Sequence, residues 1–147
     1  MNMPQRNRTA LHEAGHVVVG LAVGYEVRRS WLVDERSGFT CFAEPPLPSK
    51  EAQLAMLVAG FRAEGIALEC SCVGSPQAFL RDVDDFLPLF EEGIMLADLE
   101  AIGHDHDPAR IAHLLKCCSR DEIETALHRT VDDAQTILDK QWSDVEG

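Results

Sequence analysis

The stretch Thr9-Ala10-Leu11-His12-Glu13-Ala14-Gly15-His16-Val17-Val18-Val19 constrains this chain more than any other. Histidines four apart lie on one face of a helix as neighbours, so His12 and His16 can aim a ring nitrogen at one point. Two imidazoles converging in this way are half of a metal site. Zn2+ takes such ligands at roughly 2.0 to 2.1 Å and, in catalytic sites, keeps an open position for water, with a carboxylate close enough to take that water's proton. Glu13, one residue beyond the first histidine, is the candidate general base. With this composition, chance yields the H-E-x-x-H pattern in roughly 2% of chains of this length, so two unrelated histidines on an ordinary helix are the weaker reading. Residues 17–23 are apolar on every side, which marks a buried helix, and polar histidines at its mouth need partners.

The chain has 147 residues, the size of one domain with a real core. Its 13 basic and 25 acidic residues give a net charge of −12, a surface that repels phosphate backbones and anionic lipid. Nucleic acid and membrane are therefore poor candidate partners. The longest apolar run falls far short of the roughly 18 residues a membrane span needs, and the amino terminus lacks the apolar core of a signal peptide. Cys41, Cys70, Cys72, Cys117 and Cys118 are an odd set without zinc-knuckle spacing, so the expectation is buried or idle thiols in a reducing cytoplasm.

Along the chain, Asn7 or Thr9 can cap a first helix that runs to about Gly24. Residues 26–33 and 39–43 are β-rich and bracket a short glycine-containing turn, a hairpin ended by Pro45, Pro46 and Pro48. Ser49 can cap a helix over 50–69 whose middle is apolar nearly all round, so it should be central and buried. Ala59 and Gly60 on it, and Ala14 and Gly15 on the first helix, allow close backbone approach, and the two helices are expected to touch. Glu64 could then accept a hydrogen bond from the far nitrogen of a metal-binding imidazole, or remain a solvated glutamate.

A further helix carries Phe79, Leu80, Val83, Phe86, Leu87 and Phe90 on one face, with Pro88 bending or splitting it. Residues 94–102 read as a largely apolar helix with Asp98 in its middle, either on an exposed stripe or as a third metal ligand. The run Gly103-His104-Asp105-His106-Asp107-Pro108 looks like a second metal cluster. Asp107 as cap and Pro108 as first residue of a helix over 108–116 explain part of it more simply, leaving His104, Asp105 and His106 in a loop. Ser119-Arg120-Asp121-Glu122 is a capping box opening a last helix, whose face carries Ile123, Leu127, Val131, Ala134, Leu138 and Trp142.

This order of pieces, the His12-Glu13-Ala14-Gly15-His16 helix, a hairpin, the Val58-Ala59-Gly60-Phe61-Arg62-Ala63-Glu64 helix and then Ala97-Asp98-Leu99-Glu100-Ala101, resembles the peptidase domain of the FtsH-like zinc metalloproteases. It is nearer to their short stand-alone relatives. The resemblance implies an α+β, mostly α-helical fold: one zinc-peptidase-like domain over 1–147, a zincin-like helical bundle with a small β-sheet packed on the motif helix. It implies His12, His16 and Asp98 as zinc ligands and Glu13 as catalytic base, with Glu64 beside the site or as reserve ligand. The implied activity is peptide-bond hydrolysis by a zinc-bound water, acting on peptides or unfolded protein. No ATPase module accompanies the motif, so any motor would be a separate partner, and a homo-oligomer is the other expected assembly. An extended substrate could add to the 39–43 strand edge. The competing reading is a non-catalytic pseudo-peptidase or metal-binding interaction domain built on the same helix.

Overall fold

The computed structural model describes residues 3–42, 49–101 and 106–146. Pro45, Pro46 and Pro48, and His104 and Asp105 of the expected loop cluster, lie outside them, as do the side chains of Phe39, His106 and Trp142. The described chain is mostly helical with one two-stranded antiparallel sheet, an α+β arrangement dominated by α. No described helix is long and apolar enough to cross a membrane.

Helix α1, Gln5–Ala22, starts before either expected cap. Pro4 supplies the start, with a φ of −54° and a carbonyl that accepts from Asn7 N and Arg8 N at 3.0 and 3.2 Å. Thr9, freed from capping, has its hydroxyl 3.0 Å from Gln5 O of its own helix and 2.6 Å from Glu35 O in the hairpin turn. Past the helix end Gly24 has a φ of +104°, a left-handed turn that only glycine makes cheaply. Strands β1, Val27–Leu32, and β2, Gly38–Phe42, then pair with Trp31 opposite Phe39 and Ser30 opposite Thr40. Asp34 closes the turn between them, its Oδ1 accepting from Arg36 N and Ser37 N at 2.8 and 2.9 Å.

Ser49 caps α2, Lys50–Ala67, by accepting from Ala52 N. Every residue from Leu54 to Gly60 is buried, because α2 packs against α1 on one side and the later helices on others. Helix α3, Pro76–Glu91, is capped by Ser75 and runs unbroken through Pro88. The proline sits one turn from the end, where Glu92 N to Pro88 O and Ile94 N to Leu89 O close the helix without the bond it removes. That closing motif takes up Gly93 and Ile94, so α4 is shorter than expected, Leu96–Ala101. Helix α5 is His106–Leu115 and α6 is Arg120–Glu146. The capping box forms reciprocally: Ser119 N donates to Glu122 Oε1 at 2.8 Å and Glu122 N to Ser119 Oγ at 3.2 Å. Ile123, Leu127, Val131, Ala134 and Leu138 are all buried, and with Val58, Phe79, Ile111 and Leu115 they make the core.

Of the two expectations for the thiols, burial is not met: all five cysteines are free and none is buried, with Cys41, Cys72 and Cys117 exposed.

The α1–α2 seam has no room for a side chain at Gly15. A Cβ there would stand 2.5 Å from Ala59 O and 2.8 Å from the Ala63 Cβ. Backbone on one side and a rigid methyl on the other cannot move aside without parting the helices. Alanine's better helix propensity, worth about 1 kcal/mol, is therefore outweighed. Gly15→Ala should destabilise the protein by about 1 to 3 kcal/mol, read as a lower midpoint in chemical denaturation; an unchanged or higher midpoint would refute the tight seam.

Candidate metal centre

Three helices and the sheet meet at the motif. Helix α1 supplies His12, Glu13 and His16, α2 the carbonyl of Met56 and the carboxylate of Glu64, and α5 the carboxylate of Asp107. His12 Nε2 and His16 Nε2 lie 2.7 and 2.9 Å from the same atom, Asp107 Oδ2. Their rings stand 4.7 Å apart and nearly perpendicular. His16 Nδ1 is 2.7 Å from Met56 O, and His12 Nδ1 is 2.9 Å from Glu64 Oε2. Glu64 in turn accepts from Arg8 Nε through Oε1 at 3.2 Å.

These contacts fix where the protons sit. A carbonyl only accepts, so His16 Nδ1 carries the hydrogen and donates to Met56 O. His12 lies between two carboxylates, Glu64 at Nδ1 and Asp107 at Nε2, so without a metal its ring holds a hydrogen on each nitrogen. A neutral ring at either position that keeps its hydrogen on Nδ1 turns its Nε2 lone pair to an oxygen that has only lone pairs to offer. Three acceptors at hydrogen-bonding distance repel unless positive charge lies among them, supplied by extra protons or by a cation. Orienting a ligand histidine by hydrogen-bonding its other nitrogen is the usual support of a metal site. The donor set, two imidazole nitrogens and one carboxylate oxygen, is one Zn2+ accepts with a fourth position open. Donors around a tetrahedral zinc stand roughly 3.3 Å apart, so each histidine Nε2 would part from Asp107 Oδ2 by only about half an ångström. The residues present fit the metal.

Electrostatics agree with that geometry. Burial works against a charged His12, but Asp107 and Glu64 outweigh it and raise its pKa to about 10. Burial would likewise raise Asp107, but the His16 and His12 rings hold its carboxyl well below the usual carboxylate range. Glu13 is 7% exposed, and burial pushes its carboxyl up. Its ligand atom and those of His12 and His16 lie within 4.8 Å of one another. The hairpin walls it in: Thr40 Oγ1 donates to Glu13 Oε1 at 3.5 Å, and a Cβ on Gly38 would stand 2.6 Å from Glu13 Cγ. Gly38, expected in the turn, is thus a strand residue kept small by the glutamate beneath it. Gly60 is small for a similar reason, since its Cβ would stand 2.5 Å from His12 Nε2.

The structure brings His12, Glu13, His16 and Glu64 together, and it does not bring Asp98. Asp98 is exposed in α4, where its Oδ2 accepts from Met95 N at 3.2 Å, a local turn closure within its own segment. The carboxylate against the two histidine Nε2 atoms is that of Asp107. The helix-start reading of Asp107 was incomplete, because α5 begins at His106 and the Asp107 carboxylate reaches across to α1. Its signal in the sequence was its place beside His104 and His106, and the Asp-Pro pair masked it. Arg8 and the Met56 carbonyl have no local signature at all.

Comparison with protein-family models, curated proteins and solved structures finds no match to this chain.

The pH dependence follows from the same groups. The pKa of His12 is raised on folding, so its pairing with Asp107 and Glu64 contributes fully below about 6.5 and is lost as pH rises through about 10. Glu13, also raised, acts in the same direction. Protein stripped with a chelator should therefore melt at a lower temperature as pH rises across that window. A metal competes with the proton on Nε2, so the increment in melting temperature from added Zn2+ should grow across the same window. Thermal melts with and without Zn2+ check both trends, and parallel curves would contradict the assigned ligands.

Proposed function

We propose that the chain is a zinc-dependent metallopeptidase of the FtsH-like kind, with His12, His16 and Asp107 as metal ligands and Glu13 as general base. The observation that carries this reading is the convergence of two Nε2 atoms on Asp107 Oδ2, with each Nδ1 held by an acceptor on α2 and a buried glutamate alongside. The motif helix with a small sheet against it is the arrangement a zincin-like fold would give. When bound, zinc supplies Lewis-acid polarisation of a carbonyl and brings the pKa of water toward ~7.

The protein's own groups do the rest. Glu13 takes a proton from the attacking water at its carboxylate and passes it to the leaving amine. A raised carboxyl pKa suits both halves of that transfer, because the group must release the proton as readily as it accepts it. Thr40 and Gly38 keep the Glu13 side chain on the histidine side of the hairpin. The substrate would be a peptide or an unfolded polypeptide, presented by a separate ATPase or within a homo-oligomer, in the cytoplasm.

One observation favours a second reading, in which the site holds metal without hydrolysis. Glu13 and His16 are only 7% and 5% exposed, and a catalytic base must meet water and substrate. Cleavage of a fluorescently labelled unfolded protein separates the two. Glu13→Gln should bind one Zn2+ and lose about 10²-fold or more in rate, whereas activity that survives the change would remove Glu13 from the mechanism. A wild type that binds zinc and cleaves nothing would favour the second reading. Zinc content measured on Asp107→Asn and Asp98→Asn should fall in the first alone, and the reverse result would return the third ligand to Asp98.

A further inference from the structure

The two histidines are supported by acceptors of different kinds. His16 donates to Met56 O, a backbone carbonyl locked inside α2. His12 donates to Glu64, a side chain with rotatable bonds and a charge, 6% exposed. A carboxylate so deep in the protein needs its charge answered and its direction fixed. Once the His12 ring is neutral, as ligation at Nε2 requires, that ring can do neither fully: it offers Glu64 one hydrogen and no charge.

Arg8 is the cation that does both. It stands four residues before His12, on the same face of α1 and in the helix's first two turns. Its Nε donates to Glu64 Oε1 at 3.2 Å, which leaves Oε2 directed at His12 Nδ1. The guanidinium keeps its charge at any physiological pH, so Glu64 has a cationic partner even when the His12 ring is neutral.

We propose that Arg8 is a positioning residue of the metal centre, acting through Glu64 to hold His12 with Nε2 turned to the metal. This rests on the reading of His12, His16 and Asp107 as ligands. Arg8 touches neither the metal position nor a substrate, so its effect is on affinity for the metal.

The test is zinc affinity of the full chain, measured by competition with a chromophoric chelator. Arg8→Gln should weaken Zn2+ binding about 10-fold to 100-fold, the usual effect of losing an outer support. Arg8→Lys should recover part of it, restoring the charge without the planar fork. Arg6→Gln, on the same turn, removes the same charge from an exposed position and should leave affinity unchanged. Arg8→Gln made in a Glu64→Gln background should cost much less than alone, because the carboxylate through which Arg8 acts is gone. That double variant also leaves no unpaired buried charge, so it keeps the question answerable if Arg8→Gln alone folds poorly. Equal losses for Arg8→Gln and Arg6→Gln, or an undiminished loss when Glu64→Gln is already present, would overturn the proposal. A wild type that binds no zinc would defeat the ligand assignment itself, whereas a tight wild type matched by Arg8→Gln would defeat the role of Arg8 alone.

Discussion

Everything around the motif depends on how closely α1 and α2 approach. At Gly15 the backbone of α1 sits against the Ala59 carbonyl, and at Gly60 the His12 ring lies where a side chain would otherwise be. Those two missing side chains bring Met56 O and Glu64 within 3 Å of the imidazole Nδ1 atoms. Were the helices apart by the width of one methyl, both acceptors would be out of reach, and each ring would be free to choose its tautomer and turn. The seam therefore does chemical work: helix packing decides which nitrogen of each ring keeps its lone pair.

The second consequence is electrostatic. Asp107, Glu64 and Glu13 bring three carboxyl groups to a small buried volume, while Arg8 is the arginine placed against them. Burial makes each of these charges expensive, and the two histidines answer them by taking protons or by yielding their lone pairs to a cation. A region of this composition is not a generic hydrophobic core that happens to contain histidine. Its polar groups are paired with one another, and the pairing brings two imidazole nitrogens to one carboxylate oxygen.

Elements with a local signature were legible in the sequence. The capping box at Ser119 to Glu122, the Ser49 cap and the apolar face of α6 are short-range patterns, and each forms as its residues require. The start of α1 lies ahead of Asn7 and Thr9, good caps in isolation, because Pro4 sets the helix first and leaves Thr9 to bind the hairpin. Within the site, His12, Glu13, His16 and Glu64 were legible because α1 and α2 each carry their own periodicity and small residues. Asp107 was not, since its place comes from α5 packing on α2 and α3, which brings one side chain to α1, and no pattern over neighbouring residues encodes that packing. Asp98 looked suitable because a carboxylate in an apolar run has few ordinary explanations; a turn closure to Met95 N proved to be one.

The contact between His12 and Asp107 spans 95 positions of the chain. Closing so long a loop carries an entropic cost that must be met by docking α5 onto the core before the two side chains can meet. During synthesis His12 is made 95 positions ahead of Asp107. The histidines are thus made first, and the carboxylate that meets them is placed by helices that follow them in the chain.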